Sequence, residues 1–160
     1  MKKIASFLLI VIALTSCEEE ITRNNPSVQG LKDNVLWRAN DYSAVVQGNG
    51  LVITGLTRYE TLILKTNEKA KKTYALGVNN SRTATFIDDT DGQELTFATG
   101  QAQGDGQIVI TEYDDINQTV SGTFRFNAVN VNNNPVGGEI LNFQEGVFYK
   151  VPILEASPAQ

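Results

Sequence analysis

Between Gly106 and Ala128 apolar and polar side chains alternate with a period of two, and this stretch sets the expectation for the chain around it. Ile108 and Ile110 interleave with Gln107, Val109 and Thr111. After Asp114-Asp115-Ile116-Asn117, the residues Val120, Gly122, Phe124, Phe126 and Ala128 fall on one side, and Ser121, Thr123, Arg125 and Asn127 on the other. Such alternation predicts two strands joined by a turn, each with a dry face and a wet one. A slip of one residue would put both phenylalanine rings in water, so the pairing register is well specified.

Shorter runs of the same kind lie on either side. Val35 to Ala39, Tyr42 to Gln47 and Leu51 to Leu56 are separated by Asn40-Asp41 and Gly48-Asn49-Gly50, which predicts three strands with tight turns. Tyr59 to Asn67 sets Leu62 and Leu64 on one face, and Thr73 to Val78 does the same with Tyr74, Leu76 and Val78. Arg82 to Ile87 and Gln93 to Thr99 predict a hairpin that brings Phe86, Leu95 and Phe97 to the core. Gly100 to Gly106 reads as a mobile loop. Glu139 to Phe143 and Val147 to Ile153 read as two closing strands divided by Glu145-Gly146, with Pro152 stopping the ladder. Glu68 to Lys72 is too short to matter as a helix. Roughly ten short strands without a helix predict an all-β fold, an antiparallel two-sheet sandwich, with a lipocalin-like closed barrel as the alternative that uses the same alternation.

The first residues follow a different logic. Lys2 and Lys3, the apolar run Ile4 to Leu14 and the small Ser16 make a basic region, a hydrophobic region and a processing site in the order that export requires. A spanning helix takes about 20 apolar residues, and this run is shorter and is followed by Glu18-Glu19-Glu20. Leu14-Thr15-Ser16-Cys17 resembles the lipobox of bacterial lipoproteins. That resemblance implies cleavage before Cys17, acylation of its thiol and new amino group, and anchoring in a membrane, since each buried CH2 contributes ~0.8 kcal/mol. The acidic run after Cys17 resembles the export signal that sends lipoproteins of the Bacteroidota to the outer face of the outer membrane. The resulting division is a signal peptide over 1–16, a lipidated Cys17 with a flexible tether over 17–33, an all-β domain over 34–154 and a tail over 155–160. Extended, such a tether reaches ~50 Å.

Composition narrows the chemistry. The 160 residues include 13 basic and 18 acidic side chains for a net charge of −5, and the leader's two lysines account for part of the basic set. An acidic chain whose one dense basic group is Lys69, Lys71 and Lys72 is a poor match for nucleic acid. The absence of histidine removes the usual metal ligand and general base, and the lone cysteine is assigned to lipid. No cofactor or metal is expected. Asp88-Asp89-Thr90-Asp91-Gly92 has the oxygens of a calcium loop but not its later ligands, and a hairpin turn accounts for it. Glu112, Asp114 and Asp115 are adjacent carboxylates of the kind a turn solvates. Trp37, Tyr42 and Tyr59 are the candidate ligand contacts, because aromatic rings offer large contact area at small entropic cost.

The segment GQIVITEYDDINQTVSGTFRFNA, with Trp37-x-Ala39 before it and Glu145-Gly146-x-Phe148 after it, is similar to a group of small Bacteroidota β-sandwich lipoproteins of unknown function. The likeness spans Leu36 to Ile153. It implies a fold and a location, and carries no activity. The expectation is an outer-membrane, lipid-anchored, outward-facing and non-catalytic binding or structural module. The alternative is a carbohydrate-binding accessory lipoprotein of a surface glycan system. The partners are the membrane, through Cys17, and a glycan or protein ligand.

Overall fold

The computed structural model describes residues 25–132 and 137–155. Within them the chain forms eleven strands and no α-helix. These are β1 (Ser27–Lys32), β2 (Val35–Arg38), β3 (Asp41–Gln47), β4 (Gly50–Leu56), β5 (Glu60–Lys65), β6 (Thr73–Leu76), β7 (Thr83–Asp88), β8 (Leu95–Ala98), β9 (Asp105–Asp114), β10 (Thr119–Asn130) and β11 (Ile140–Leu154). They pair in the order β2-β1-β11-β3-β4-β5-β7-β8-β10-β9-β6, with β10 also paired to β11.

Two layers follow from that order. One is β6-β9-β10-β11-β1-β2 and the other β3-β4-β5-β7-β8. They are joined where long strands serve both. Val129 and Asn130 at the end of β10 pair with Ala98 and Phe97 of β8, and Ile153 and Leu154 at the end of β11 pair with Ala44 and Val45 of β3. Strands that turn a corner in this way are a usual device of sandwiches. The fold is therefore all-β and sandwich-like, but mixed rather than wholly antiparallel, because β11 and β3 run parallel. The last strand lies between the first and the third, which is not the up-and-down order of a lipocalin-like barrel.

Where the alternation assigns a dry face, most of its positions are buried, with Val78 and the buried Ser121 of the expected wet face as exceptions. Leu62, Leu64, Tyr74, Leu76, Phe86, Phe97, Ile108, Ile110, Val120, Phe124, Phe126 and Ala128 are all buried between the layers, whereas Val78 is exposed. Phe143 is the hub. Its ring centroid lies 5.6 Å from Trp37, 6.0 Å from Phe86, 5.3 Å from Phe124 and 5.4 Å from Phe126. On the flank the layers are tied by charge. The Lys32 ammonium pairs with Glu60, approaches Asp88 at 3.6 Å and stands 5.0 Å from the centre of the Phe86 ring.

Three local expectations change. The tether placed at 17–33 ends earlier, since Ser27–Lys32 is a strand that pairs with both β2 and β11. Its inward positions hold only Val28 and Gly30, too thin an apolar signal to stand out. Glu139 to Ile153 is not two strands: β11 runs unbroken for 15 residues, and Pro152 lies within it, opposite Thr119. Of Gly100 to Gly106, Asp105 and Gly106 already belong to β9, and the residues before them form a hydrogen-bonded turn rather than an open loop, with Gly100 N donating to Gln103 O (2.8 Å) and Ala102 N to Gly77 O (3.0 Å).

Candidate functional site

The wet face of β9, β10 and β11 carries the arrangement with most chemical capacity. Asp105 is registered with Asn127, and Asn127 with Asn142, so the three form a row across three strands at a spacing of about 4.8 Å. The row is hydrogen-bonded end to end. Gln144 Nε2 donates to Asn142 Oδ1 (2.9 Å), Asn142 Nδ2 to Asn127 Oδ1 (2.7 Å) and Asn127 Nδ2 to Asp105 Oδ1 (2.9 Å). Each bond orients the next amide, so the row is ordered without a ligand. Arg125, registered with Gln107, projects beside it. Among the described residues its guanidinium makes no hydrogen bond or ion pair. These side chains line a groove of about 550 Å³.

A bulge shapes the groove's end. Gly30 of β1 opposes both Glu145 and Gly146, and Arg125 of β10 opposes both Gln144 and Glu145, so β11 carries one extra residue against each neighbour. Glu145 adopts φ 49°, a left-handed conformation that costs a side-chain-bearing residue roughly 1–2 kcal/mol. Two glycines enforce the bulge. A Cβ on Gly146 would lie 2.5 Å from the Phe124 ring, and one on Gly30 would lie 2.6 Å from Phe143 Cε1. The extra residue turns Gln144 and Glu145 outward together, at the head of the row.

A family model described as a domain of unknown function, DUF6252, matches residues 24–152. The chain belongs to that family. No curated protein and no solved structure matches the chain.

The aromatic positions first expected to carry function in this DUF6252 domain, Trp37, Tyr42 and Tyr59, lie elsewhere and do not form one site. Cys17 is outside the described residues. Trp37 is only 4% exposed: its ring meets Phe86 and Phe143 edge-on, and its Nε1 donates to Glu60 Oε2 (2.8 Å). It is a core residue and offers no face to a ligand, which removes the three-ring platform. Tyr42 is half-buried against the core and its hydroxyl donates to Pro26 O (2.7 Å), which ties down the chain before β1. Tyr59 is the exposed ring of the three, in the β4–β5 turn, with the Arg58 guanidinium 4.9 Å from its centre.

In the acidic turns of the DUF6252 domain, Asp88 and Asp114 are internally satisfied. Asp88 Oδ1 accepts from Thr90 N (2.9 Å) and Thr90 Oγ1 (2.5 Å), while Oδ2 faces Lys32. Asp114 Oδ1 accepts from Ile116 N and Asn117 N, each at 2.9 Å, and Oδ2 from Asn117 Nδ2 at 2.7 Å. The backbone and side-chain hydrogen bonds from Asn117 hold the Asp114 carboxyl below its usual value. That is the shift of a turn-capping carboxylate, opposite to what a proton donor needs. The amide row itself escapes a reading of runs and motifs, because its members are far apart in sequence. One signal was available: Asp and Asn are depleted from strands, yet Asp105, Asn127 and Asn142 all stand within them.

Proposed function

We propose that this DUF6252 protein is an exported, lipid-anchored, non-catalytic binding module, held at the outer membrane with its β-domain facing the cell exterior, and that its ligand lies in the groove of β9, β10 and β11. The anchor rests on the leader and on Leu14-Thr15-Ser16-Cys17. Nine residues separate Cys17 from β1, a reach of at most about 30 Å when extended, so an anchored domain stays close to the bilayer. The groove reading is carried by one observation: a row of side chains already oriented by its own hydrogen bonds, beside a guanidinium that has no hydrogen bond or ion pair among the described residues. Preorganised polar groups bind without first having to be ordered, which is where much of the cost of association lies.

Two measurements test this reading. Cys17→Ala should leave the protein soluble after export and without fatty-acyl mass, and protease added to intact cells should remove the wild-type domain. Membrane retention of Cys17→Ala after a salt wash, or full protection of the wild type from protease, sinks the anchoring or the outward placement respectively.

A further inference from the structure

We infer that the groove takes a neutral, hydroxyl-rich saccharide, gripped through adjacent hydroxyls by Asn127, Asn142, Gln144 and Arg125 and not by ring stacking. This rests on the groove being the ligand surface and adds the class of ligand. The first reason is the balance of unused hydrogen-bonding capacity. Asn127, Asn142 and Gln144 each commit one amide N–H to the row and retain a second, and Arg125 retains five donors. Acceptors stand among them at the second oxygen of Asp105, at Gln144 Oε1 and at Glu145. Interleaved donors and acceptors match a ligand whose groups both donate and accept, which is what a hydroxyl does.

Charge supplies the second reason. Asp105 and Glu145 outnumber Arg125 along the groove, and the chain carries a net −5, so an anionic ligand finds no positive field. The third is that no exposed ring among the described residues lines the groove. Phe126 and Phe143 border it with both rings buried in the core, and the exposed Leu36 and Ile140 lie outside its lining. The fourth concerns peptides. β10 is paired on both sides, to β9 and to β11, and β11 in turn to β1, so a peptide cannot add as a strand and only side chains are left to read a ligand. A row of polar planes at the strand spacing of about 4.8 Å is close to the length of one sugar ring, so successive members can meet successive hydroxyls.

The test follows the side-chain amide signals of Asn127, Asn142 and Gln144 in nitrogen-15 spectra of the full chain in detergent micelles. The probes are neutral hexasaccharides of glucose, mannose, galactose and xylose, hexagalacturonate as the anionic sugar, and an uncharged Gly/Ser/Asn peptide. At least one neutral hexasaccharide should shift these signals and saturate. Arg125→Ala, which removes a side chain with no other hydrogen bond or ion pair among the described residues, should weaken that binding about tenfold, as should Asn142→Ala. Shifts produced only by hexagalacturonate or by the peptide would overturn the neutral saccharide and leave the groove as a ligand surface. Silence of all three side chains toward every probe would overturn both.

Discussion

Removing the ring of Phe143 should destabilise the domain by about 4–5 kcal/mol. The side chain is fully buried and its ring meets four others, from Trp37, Phe86, Phe124 and Phe126, at centroid separations between 5.3 and 6.0 Å. Truncating a buried Phe to Ala typically costs about 3–5 kcal/mol, combining lost transfer energy with the cavity left behind. Aromatic pairs contribute roughly 0.5–1.5 kcal/mol each beyond buried area, and four are lost together, so Phe143→Ala belongs near the upper end, at about 4–5 kcal/mol. The backbone gives little room for the site to collapse, because Gly30 and Gly146 already hold β1 and β10 in contact with β11. Phe143→Leu keeps much of the apolar area, removes the ring contacts and should cost about 1–2 kcal/mol. Urea unfolding followed by the fluorescence of Trp37, the single tryptophan, reads both variants at the hub itself. A loss under about 2 kcal/mol for Phe143→Ala at unchanged denaturant slope, or equal losses for Ala and Leu, would refute the hub argument.

Three further outcomes are expected. Lys32→Met should destabilise by about 1–3 kcal/mol, less than a fully buried pair because all three partners are partly exposed, and Glu60→Gln in the same chain should cancel part of the loss in a double-mutant cycle. Asp88 should contribute to acid sensitivity: partial burial pushes its carboxyl up, but the Thr90 hydrogen bonds and the Lys32 charge outweigh this and leave it below its ordinary value. A depressed carboxylate stabilises the fold above the unfolded value near 4 and loses that contribution as pH falls through the folded value, so Asp88→Asn should flatten the unfolding midpoint below about pH 4, and an unchanged profile would count against the pairing. Glu145→Gly should raise stability by about 0.5–1 kcal/mol in thermal unfolding, since relief of the left-handed conformation exceeds the entropy that glycine adds to the unfolded chain; a loss would mean that the Glu145 side chain holds the bulge.

The fold was legible wherever burial decides which residue a position can hold. Phe124 and Phe126 on β10, Leu62 and Leu64 on β5 and Ile108 and Ile110 on β9 keep a strict period, and each lies between the layers. The period misleads where the backbone departs from a regular pleat. On β11, Phe143 and Phe148 are an odd number of residues apart and yet both face the core, which a regular strand forbids. One extra residue resolves the conflict, and Glu145 is that residue. In a one-dimensional pattern a bulge and a turn both appear as a break in alternation, so the single strand read as two. Lys150, at φ 46°, makes a second break of the same kind opposite Ser121, whose hydroxyl accepts from Lys150 N; this is how a serine of the expected wet face comes to be buried.

The wet face is harder to read for an energetic reason. A dry position rejects most residues at a cost of several kcal/mol, so its identity carries information, whereas a solvated strand position accepts almost any polar side chain within about 1 kcal/mol. Arg125 and Asn127 therefore looked like ordinary exposed alternates, and Asn142 like part of a short closing strand. Their relation exists only through register, which pairs Asp105 with Asn127 and Asn127 with Asn142 across stretches of chain that share no local signal. Threonine at those positions would suit a pleated sheet better. The domain instead places an aspartate and two asparagines side by side, joins them by hydrogen bonds, and ends the row at a left-handed Glu145. Neither choice helps the sheet fold, and both orient polar groups outward, so the stability forgone at this face is what the proposed ligand groove accounts for.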